Sequence, residues 1–206
     1  MSDIVILDIG IGNVKSILNR LKLLNYNVIT SKNSKEIMNS RVLILPGVGN
    51  FGYFMDQIDF FNLRNVIKSF AKEKEKKVIG ICLGMHILFS KSSESKSKNG
   101  LGLIEGEVIK FHNCANNIGY LNINPLNKNF LKLNKKSRYY FCHSFYVKLS
   151  DDYIIANSYM RGEKFPSIIK KKNIYGIQFH PEISNYEGNQ IFNSILLNEN
   201  NSTIIN

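Results

Sequence analysis

Cysteine is scarce in this sequence, and its placement excludes a disulfide-stapled scaffold. The chain has three cysteines in 206 residues, Cys82, Cys114 and Cys142, an odd number at wide spacing. This pattern favours a reducing compartment, so we expect a cytoplasmic protein. A metal site could be drawn from Cys114, Cys142, His112 and His143, but no Cys-x-x-Cys or His-x-x-x-His spacing supports one. The sequence therefore predicts no metal.

Long apolar runs are also missing. The longest, residues 78–89, is too short to cross a bilayer and contains two glycines and a histidine, so we expect no membrane association. The first residues lack a basic segment before an apolar one, and no secretory leader is expected. With 44% hydrophobic and 21% charged residues, the composition is typical of a globular protein. No repeat or linker is visible, which predicts one domain over residues 1–198 and a frayed polar tail over 199–206.

Acidic residues are few relative to basic ones, and the net charge is +11. Such a charge raises the hypothesis of a nucleic-acid partner. The lysines are dispersed, however, and the densest run, residues 72–77, is interleaved with Glu73 and Glu75, as in the solvated end of a helix. We therefore expect no nucleic-acid partner, while a phosphorylated metabolite or an acidic protein partner stays open.

Strands and helices alternate in the first half of the chain. Apolar runs at residues 3–8, 27–30, 41–45 and 78–81 indicate strands, and helical periodicity marks residues 14–24 and 62–74. This alternation predicts an α/β protein with a parallel sheet covered by helices. After Gly102 the pattern changes to antiparallel additions on or beside that sheet, closed by a helix over 191–197. These later strands are expected at residues 107–111, 138–141, 146–149, 153–156, 167–170 and 174–179.

The segment Gly80-Ile81-Cys82-Leu83-Gly84 places a cysteine on a sharp turn between a buried strand and a helix. Glycines two residues either side let the backbone turn tightly and leave room for a substrate beside the thiol. At a helix N-terminus the dipole and the free N–H groups favour a thiolate and offer donors to an oxyanion. Taken alone, such a cysteine is more often an inert core residue.

A base and its orienting group follow near the other end of the chain, in Gln178-Phe179-His180-Pro181-Glu182. His180 and Glu182 are two residues apart at the end of a strand, so their side chains point the same way and a carboxylate can hold the imidazole. A lone His-Pro-Glu is usually a surface turn. Together with Cys82, it predicts a Cys-His-Glu triad for nucleophilic catalysis.

Two glycine-rich turns need separate interpretations. Residues 47–52 match G-x-G-x-x-G, but the loop follows the third strand and no ribose-binding acid is evident, which disfavours a dinucleotide site. We expect this loop to present a backbone N–H group to an oxyanion, beside that of Leu83. The turn over residues 8–13 carries Lys15 at the third glycine position, and we expect Asn13 to cap the following helix.

These motifs together resemble the class I, triad-type glutamine amidotransferases over nearly the full chain. Within that family, the sequence most resembles the glutaminase subunit of imidazole glycerol phosphate synthase. The resemblance implies a flavodoxin-like, three-layer α/β/α fold whose central sheet is mostly parallel. The matching stretches are Asp8-Ile9-Gly10-Ile11-Gly12-Asn13, Pro46-Gly47-Val48-Gly49-Asn50-Phe51-Gly52, Gly80-Ile81-Cys82-Leu83-Gly84-Met85, Gly100-Leu101-Gly102-Leu103-Ile104, His143-Ser144-Phe145 and Gln178-Phe179-His180-Pro181-Glu182.

The resemblance also implies a role for each site residue. Cys82 would attack the glutamine amide, His180 would transfer protons, Glu182 would orient His180, and the Val48 and Leu83 N–H groups would form the oxyanion hole. No cofactor is implied. The residues matching glutamine-binding positions are Gly49, His86, Glu94, Ser144 and Phe145.

A (β/α)8-barrel synthase is the implied partner. It would receive ammonia through a tunnel and make imidazole glycerol phosphate and AICAR in histidine biosynthesis. Departures from the family pattern are His86 for glutamine, Ile183 for lysine, and Asn116-Asn117 in a segment where relatives meet the synthase or gate ammonia. They leave open a paralogue that supplies ammonia for amidino-sugar synthesis. A non-catalytic scaffold subunit and a redox enzyme are more distant alternatives.

Overall fold

The computed structural model describes residues 3–112, 117–126 and 137–197. The predicted tail, together with Cys114 and Asn116, lies outside them. The helices are α1 (Val14–Leu23), α2 (Ser34–Asn39), α3 (Phe51–Phe60), α4 (Arg64–Lys72), α5 (Leu83–His86) and α6 (Asn185–Leu197). The strands are β1 (Ile4–Leu7), β2 (Val28–Ser31), β3 (Val42–Leu45), β4 (Lys77–Ile81), β5 (Lys91–Ser92), β6 (Glu107–Lys110), β7 (Asn117–Asn122), β8 (Asn124–Pro125), β9 (Arg138–His143), β10 (Phe145–Lys148), β11 (Ile154–Met160), β12 (Glu163–Lys171) and β13 (Ile174–Ile177).

An eight-stranded sheet forms the centre of the molecule, in the order β2-β1-β3-β4-β13-β12-β11-β8. The first five strands in that order are parallel, and β12, β11 and β8 extend the sheet in antiparallel pairing. The parallel part has the flavodoxin strand order, with β13 as its fifth strand. The predicted α/β class is confirmed, including the antiparallel additions from the C-terminal half.

Both faces of the sheet are covered, as the near-continuous apolar sequence of the parallel strands requires. Ile4 and Ile6 of β1 pack into one core with α1 and α6, while Val5 and Leu7 pack into the other with α3 and α4. Alternate side chains of one strand therefore enter different cores, which is the three-layer arrangement. Within the described ranges, no helix is both long and apolar enough to cross a membrane.

Two small sheets lie beside the central one, β10-β6-β5 and the antiparallel pair β7-β9. Strand β9 is tied to the site because the His180 N–H donates to the Tyr140 carbonyl at 2.9 Å. Helices α2 and α3 are additional to the elements expected from sequence. Helix α3 begins at Phe51, inside the glycine-rich segment, where the Asn50 side chain caps it by accepting from the Tyr53 N–H at 3.1 Å.

Gly84 is held where no side chain fits. A Cβ built on it would overlap the Leu45 carbonyl oxygen at the end of β3. Gly80 is similarly constrained, because a Cβ there would overlap the Gly84 carbonyl oxygen. These contacts are between backbone atoms, so no change of rotamer relieves them. The turn that carries Cys82 therefore requires glycine on both sides.

Replacing Gly84 with alanine should accordingly damage the fold. We expect Gly84→Ala to lower the free energy of unfolding by more than about 3 kcal/mol, because an overpacked backbone contact forces strands β3 and β4 apart. Gly162→Ala is the matched control: its φ is +81°, with nothing within 4 Å of a built Cβ. It should cost only about 1 kcal/mol of backbone strain. Urea unfolding of both variants measures the difference, and equal losses would contradict the close approach.

Candidate active site

Cys82 lies on the elbow between β4 and α5, with φ +50° and ψ −108°. A positive φ is strained for a residue with a side chain, and here it is fixed by the Cys82 N–H donating to the Ile177 carbonyl at 2.7 Å. Helix α5 spans only Leu83–His86, a single turn. The dipole at its start is therefore weaker than the sequence suggested, and stabilisation of a thiolate has to come from neighbouring side chains.

His180 follows β13 and is held by Glu182. Its Nδ1–H donates to Glu182 Oε1 at 2.9 Å, and the exposed fractions of the two residues are 3% and 2%. Cys82 and His180 line the same cavity, and the charge of the Cys82 sulfur acts on the ring. With Nδ1 committed to Glu182, Nε2 is the nitrogen available to sulfur. The structure thus brings the three predicted triad residues together.

The charges of Cys82 and Glu182 favour a protonated His180 imidazole. Burial alone would lower the pKa of His180, but the Cys82 thiolate and the Glu182 carboxylate outweigh it and raise the pKa to about 11. An imidazolium beside sulfur stabilises the thiolate and holds a proton that can be delivered to a leaving group. This arrangement can therefore carry out nucleophilic attack followed by acid catalysis.

A cavity of about 370 Å³ opens above Cys82. Glu182 lies behind His180, outside the cavity wall. All the other predicted site residues contribute to the lining, namely Val48, Gly49, Cys82, Leu83, His86, Glu94, Ser144, Phe145 and His180. Elements distant in sequence, from the loop after β3 to the end of β13, therefore meet around one thiol.

Val48 and Leu83, whose N–H groups are the predicted oxyanion donors, line the same cavity as Cys82. The loop after β3 presses against the elbow, and a Cβ built on Gly47 would lie 2.8 Å from the Leu83 nitrogen. Among the described residues, neither the Val48 N–H nor the Leu83 N–H donates to a protein acceptor. Donors without a partner beside a nucleophile can bind the oxygen of a tetrahedral intermediate.

Glu94 joins the cavity to the start of α3. Its carboxylate accepts from the Asn50 side-chain amide at 3.1 Å and from the Phe51 N–H at 3.3 Å. Burial raises the pKa of Glu94, and these two hydrogen bonds oppose the rise. A carboxylate has about four lone-pair sites, so it can still accept from a cationic ligand in the cavity.

His86 contacts Gln178, and this contact was not foreseen from the sequence. His86 Nε2 is 2.9 Å from Gln178 Oε1, and Gln178 Nε2 lies 3.9 Å from Cys82 Sγ. Burial lowers the pKa of His86 to about 4, although the Gln178 hydrogen bond opposes this. A neutral His86 that donates from Nε2 fixes the Gln178 amide so that its N–H side faces the thiol.

His143 is a second buried histidine beside the cavity. Its Nδ1–H donates to the Phe145 carbonyl at 2.7 Å, which fixes the ring against the 144–145 turn. Burial lowers the pKa of His143 to about 3, and the neighbouring His86 and His180 contribute. Around one thiol, His86 and His143 are therefore neutral while His180 is charged, so the three rings differ in what they can donate.

Asn13 corrects one expectation from the sequence. It occupies the N-cap position of α1 but makes no side-chain cap hydrogen bond. Its Nδ2 instead donates to Glu182 Oε1 at 3.2 Å, across 169 residues of sequence. The signal available in the sequence was its place after β1, at the edge of the sheet where the parallel strands β3 and β4 also end.

Within the described parts of the chain, no group of three or more His, Cys, Asp or Glu could hold a metal ion.

Comparison with known proteins identifies relatives over nearly the whole chain. Residues 5–198 match the family model "Glutamine amidotransferase class-I". The imidazole glycerol phosphate synthase subunit HisH of Leptospira interrogans is 38% identical over 192 residues, covering 89% of this chain and 94% of that protein. The HisH subunit of Lactococcus lactis subsp. lactis is 36% identical over 200 residues, covering 95% of this chain and 98% of that protein.

Solved structures show the same fold at low identity. A crystal structure described as a glutamine amidotransferase gives a TM-score of 0.74 at 14% identity, covering 94% of this chain and 98% of that one. PurLQS from Thermotoga maritima gives 0.73 at 18% identity, covering 96% and 99%. These likenesses agree with the strand order described above.

The buried neutral histidines predict acid sensitivity. The pKa of His86 is about 4 when folded and near 6.5 when unfolded, so the unfolded chain binds a proton that the folded chain rejects. Stability is therefore lost as pH falls from about 6.5 to about 4, with His86 contributing up to about 3 kcal/mol. Urea midpoints across this range should fall less steeply for His86→Gln, whose amide can still donate to Gln178. Parallel pH dependence in the two proteins would contradict this.

The thiolate–imidazolium pair predicts unusual cysteine reactivity. A protonated His180 lies beside the Cys82 sulfur, and the thiolate that it stabilises is the form of cysteine that alkylates. Iodoacetamide at pH 7 should therefore label Cys82 faster than Cys142, which is an exposed free cysteine. Peptide mass spectrometry reads both sites in one sample.

The matched control for this labelling is His180→Gln, which removes the imidazolium and should slow the labelling of Cys82 while leaving that of Cys142 unchanged. Cys114 reports in the same digest as a further cysteine, and we expect it to label more slowly than Cys82. Equal labelling rates at all three cysteines would contradict an activated nucleophile.

Proposed function

The chain belongs to the class I glutamine amidotransferase family, and from that premise we propose that it hydrolyses glutamine to glutamate and ammonia with Cys82, His180 and Glu182 as its triad. The observation that carries the proposal is the buried hydrogen bond between Glu182 and His180, beside a cavity that His180 and Cys82 both line. The HisH relatives, similar along nearly their full length, support the same chemistry.

In this mechanism, Cys82 Sγ attacks the side-chain carbonyl carbon of glutamine. The Leu83 and Val48 N–H groups stabilise the oxyanion that forms. As the C–N bond breaks, His180 gives its proton to the departing nitrogen, which releases ammonia and leaves a γ-glutamyl thioester. Neutral His180 then takes a proton from water, and the water oxygen displaces sulfur. Glutamate leaves, the thiolate returns, and Glu182 keeps the ring oriented throughout.

The glutamine substrate would be held by charge and by backbone groups. Glu94 offers a carboxylate to the α-ammonium group, while Gly49, Ser144 and Phe145 line the cavity within reach of its other polar atoms. His86 also lines it, and its contact with Gln178 supports a role in positioning the thiol as well as in shaping the pocket. A cavity of about 370 Å³ suits a ligand the size of one amino acid.

An exposed apolar surface at the cavity mouth supports a partner subunit. Val48 and Ile183 line the cavity yet are 50% and 36% exposed, and Tyr120, 40% exposed, donates from its hydroxyl to the Ile183 carbonyl at 3.4 Å. Apolar surface beside a site is typical of an interface. We infer a heterodimer with a (β/α)8-barrel synthase, which takes ammonia through a tunnel to make imidazole glycerol phosphate and AICAR in histidine biosynthesis.

Tunnelling has a chemical reason. Ammonia released into water near neutral pH becomes ammonium, which has no lone pair with which to attack. A reducing cytoplasm fits both the nucleophilic thiol and the exposed Cys142, which are free cysteines.

Amidino-sugar synthesis is the second candidate, and Ile183 is the residue that favours it. Where the family resemblance implies a lysine, this chain has an apolar, part-exposed side chain at the cavity mouth. A different synthase would meet that surface. The two candidates share the glutaminase chemistry and differ only in the acceptor of ammonia.

Glutamate release from glutamine tests the proposal. We expect low activity for the chain alone and strong stimulation by the histidine-pathway barrel subunit from the same genome with its nucleotide ligand. Cys82→Ala should reduce the stimulated rate by about a thousandfold or more, because the nucleophile is lost. Cys142→Ala, a matched cysteine variant, should retain activity.

Each result has a distinct meaning. Activity that survives Cys82→Ala would overturn the triad and favour a scaffold role. Cys82-dependent activity without stimulation by the barrel subunit would overturn the histidine pathway and support the second candidate. Full activity of the chain alone would contradict a requirement for the partner.

A further inference from the structure

A second, larger concave site lies at the edge of the central sheet opposite the active site. Lys77 starts β4, whose other end leads to Cys82, and Ile174 starts β13, whose other end leads to His180. Both residues line a groove of about 920 Å³. Because β4 and β13 are parallel, this groove and the thiol are at opposite ends of the same two strands.

Positive charge dominates this lysine groove, which is formed by α4, the start of β4 and the β12–β13 turn. Of its 13 lining residues, all taken from the described ranges, seven are lysines and none is acidic. Glu73 and Glu75 lie on the neighbouring surface and are exposed. The lysines are Lys68, Lys72, Lys74, Lys77, Lys170, Lys171 and Lys172.

The walls of the groove are joined by side-chain hydrogen bonds to backbone carbonyls. The Asn173 side chain donates to the carbonyls of Ala71 at 3.1 Å, Glu73 at 3.0 Å and Lys76 at 2.8 Å, joining the β12–β13 turn to the α4–β4 loop. Lys77, only 4% exposed, donates from Nζ to the Ile195 carbonyl of α6 at 2.8 Å. The lysine backbones are therefore held in place before any ligand binds, which reduces the entropic cost of binding.

Like charges are concentrated here at some energetic cost. Burial and the charge of Lys77 both lower the pKa of Lys170, whose Nζ also lies 5.2 Å from the Tyr175 ring centroid. A bound anion would offset that repulsion. Leu103, the partly exposed apolar residue of the lining, would contact the uncharged portion of a ligand.

We propose that the lysine groove binds a small ligand that carries two or more phosphate groups. Lysines act as separate point charges that suit several phosphates, whereas planar carboxylate recognition favours arginine, which the described lining lacks. Single-stranded nucleic acid is disfavoured because the one aromatic side chain of the lining, Tyr175, is 5% exposed and offers no stacking surface. The proposed glutaminase reaction has no use for such a site, so the two proposals stand independently.

Isothermal titration calorimetry with inorganic tripolyphosphate tests the groove. We choose about 50 mM salt because the attraction between exposed lysines and phosphate is only partly screened at that ionic strength. The wild-type chain should bind one tripolyphosphate. Lys72→Glu combined with Lys172→Glu should weaken binding by roughly tenfold or more. ATP and a single-stranded oligonucleotide are titrated in parallel to identify the source of the phosphate chemistry.

The matched control is Lys22→Glu combined with Arg161→Glu. Lys22 occupies the last turn of α1 as Lys72 does in α4, and Arg161 has a positive φ in an exposed turn, as does Lys172. Both double variants change the net charge equally and leave the proposed glutaminase residues untouched. The control should bind tripolyphosphate as the wild type does, and glutamate release should be unchanged in both.

The proposal is supported if the groove variant binds tripolyphosphate more weakly than the control variant does. It is also supported if ATP shows the same difference and binds the wild type more tightly than tripolyphosphate, which would add a nucleoside to the ligand. If both double variants bound tripolyphosphate equally weakly, the proposal would be overturned, because the attraction would then depend on the net charge of the protein and not on the groove. The proposal would also be overturned if the wild-type chain did not bind tripolyphosphate. Tighter binding of the oligonucleotide than of either phosphate ligand would assign the groove to nucleic acid instead.

Discussion

The parallel register of β3, β4 and β13 is the constraint on which the site depends. Ile44 pairs with Ile79, and Ile79 pairs with Tyr175, so the three strands end at the same edge of the sheet. The loop after β3, the elbow after β4 and the His-Pro-Glu turn after β13 consequently meet. Each contributes one kind of group to the proposed mechanism, namely N–H donors, a nucleophile and a base. A slip of one residue in either pairing would turn alternate side chains to the other face and separate them.

Burial sets the protonation states around the thiol. His180 is charged because the Cys82 and Glu182 charges raise its pKa, whereas burial lowers the pKa of His86 and His143 and keeps both rings neutral. Three histidines near one sulfur thus differ in charge for reasons visible in their contacts. Glu182 is itself nearly inaccessible, and its Oε2 has no hydrogen-bond partner among the described protein atoms. Its negative charge is therefore directed to His180 through Oε1, where Asn13 also donates.

The sequence allowed the fold class and the triad to be predicted because their signals are local. Strand–helix alternation and glycines around Cys82 are visible within short windows, as is the two-residue spacing of His180 and Glu182. Helix α3 was not foreseen because its first residues fall within a glycine-rich pattern that is typical of a loop. Asn13 and Gln178 were not identified because their roles depend on contacts that cross the whole chain.

The lysine groove was also missed because it depends on contacts that are distant in sequence. From the sequence, residues 72–77 were interpreted as the solvated end of a helix. Only the fold brings Lys72 beside Lys172, a hundred residues later. Local patterns therefore predicted the elements and the chemistry. The contacts that orient the triad, and the concentration of charge at the far edge, required the tertiary structure.

The central position of β13 has a consequence for the order in which this protein can assemble. A ribosome delivers β13 after the other described strands of the sheet, yet the strand lies between β4 and β12 in the folded protein. Until it inserts, β4 presents an open edge, which is a hazard for pairing with other chains. His180 and Glu182 arrive on the same late segment, together with the acceptor for Asn13. In the proposed mechanism, the nascent chain therefore carries Cys82 without its base, and the thiol becomes activated only when the sheet closes.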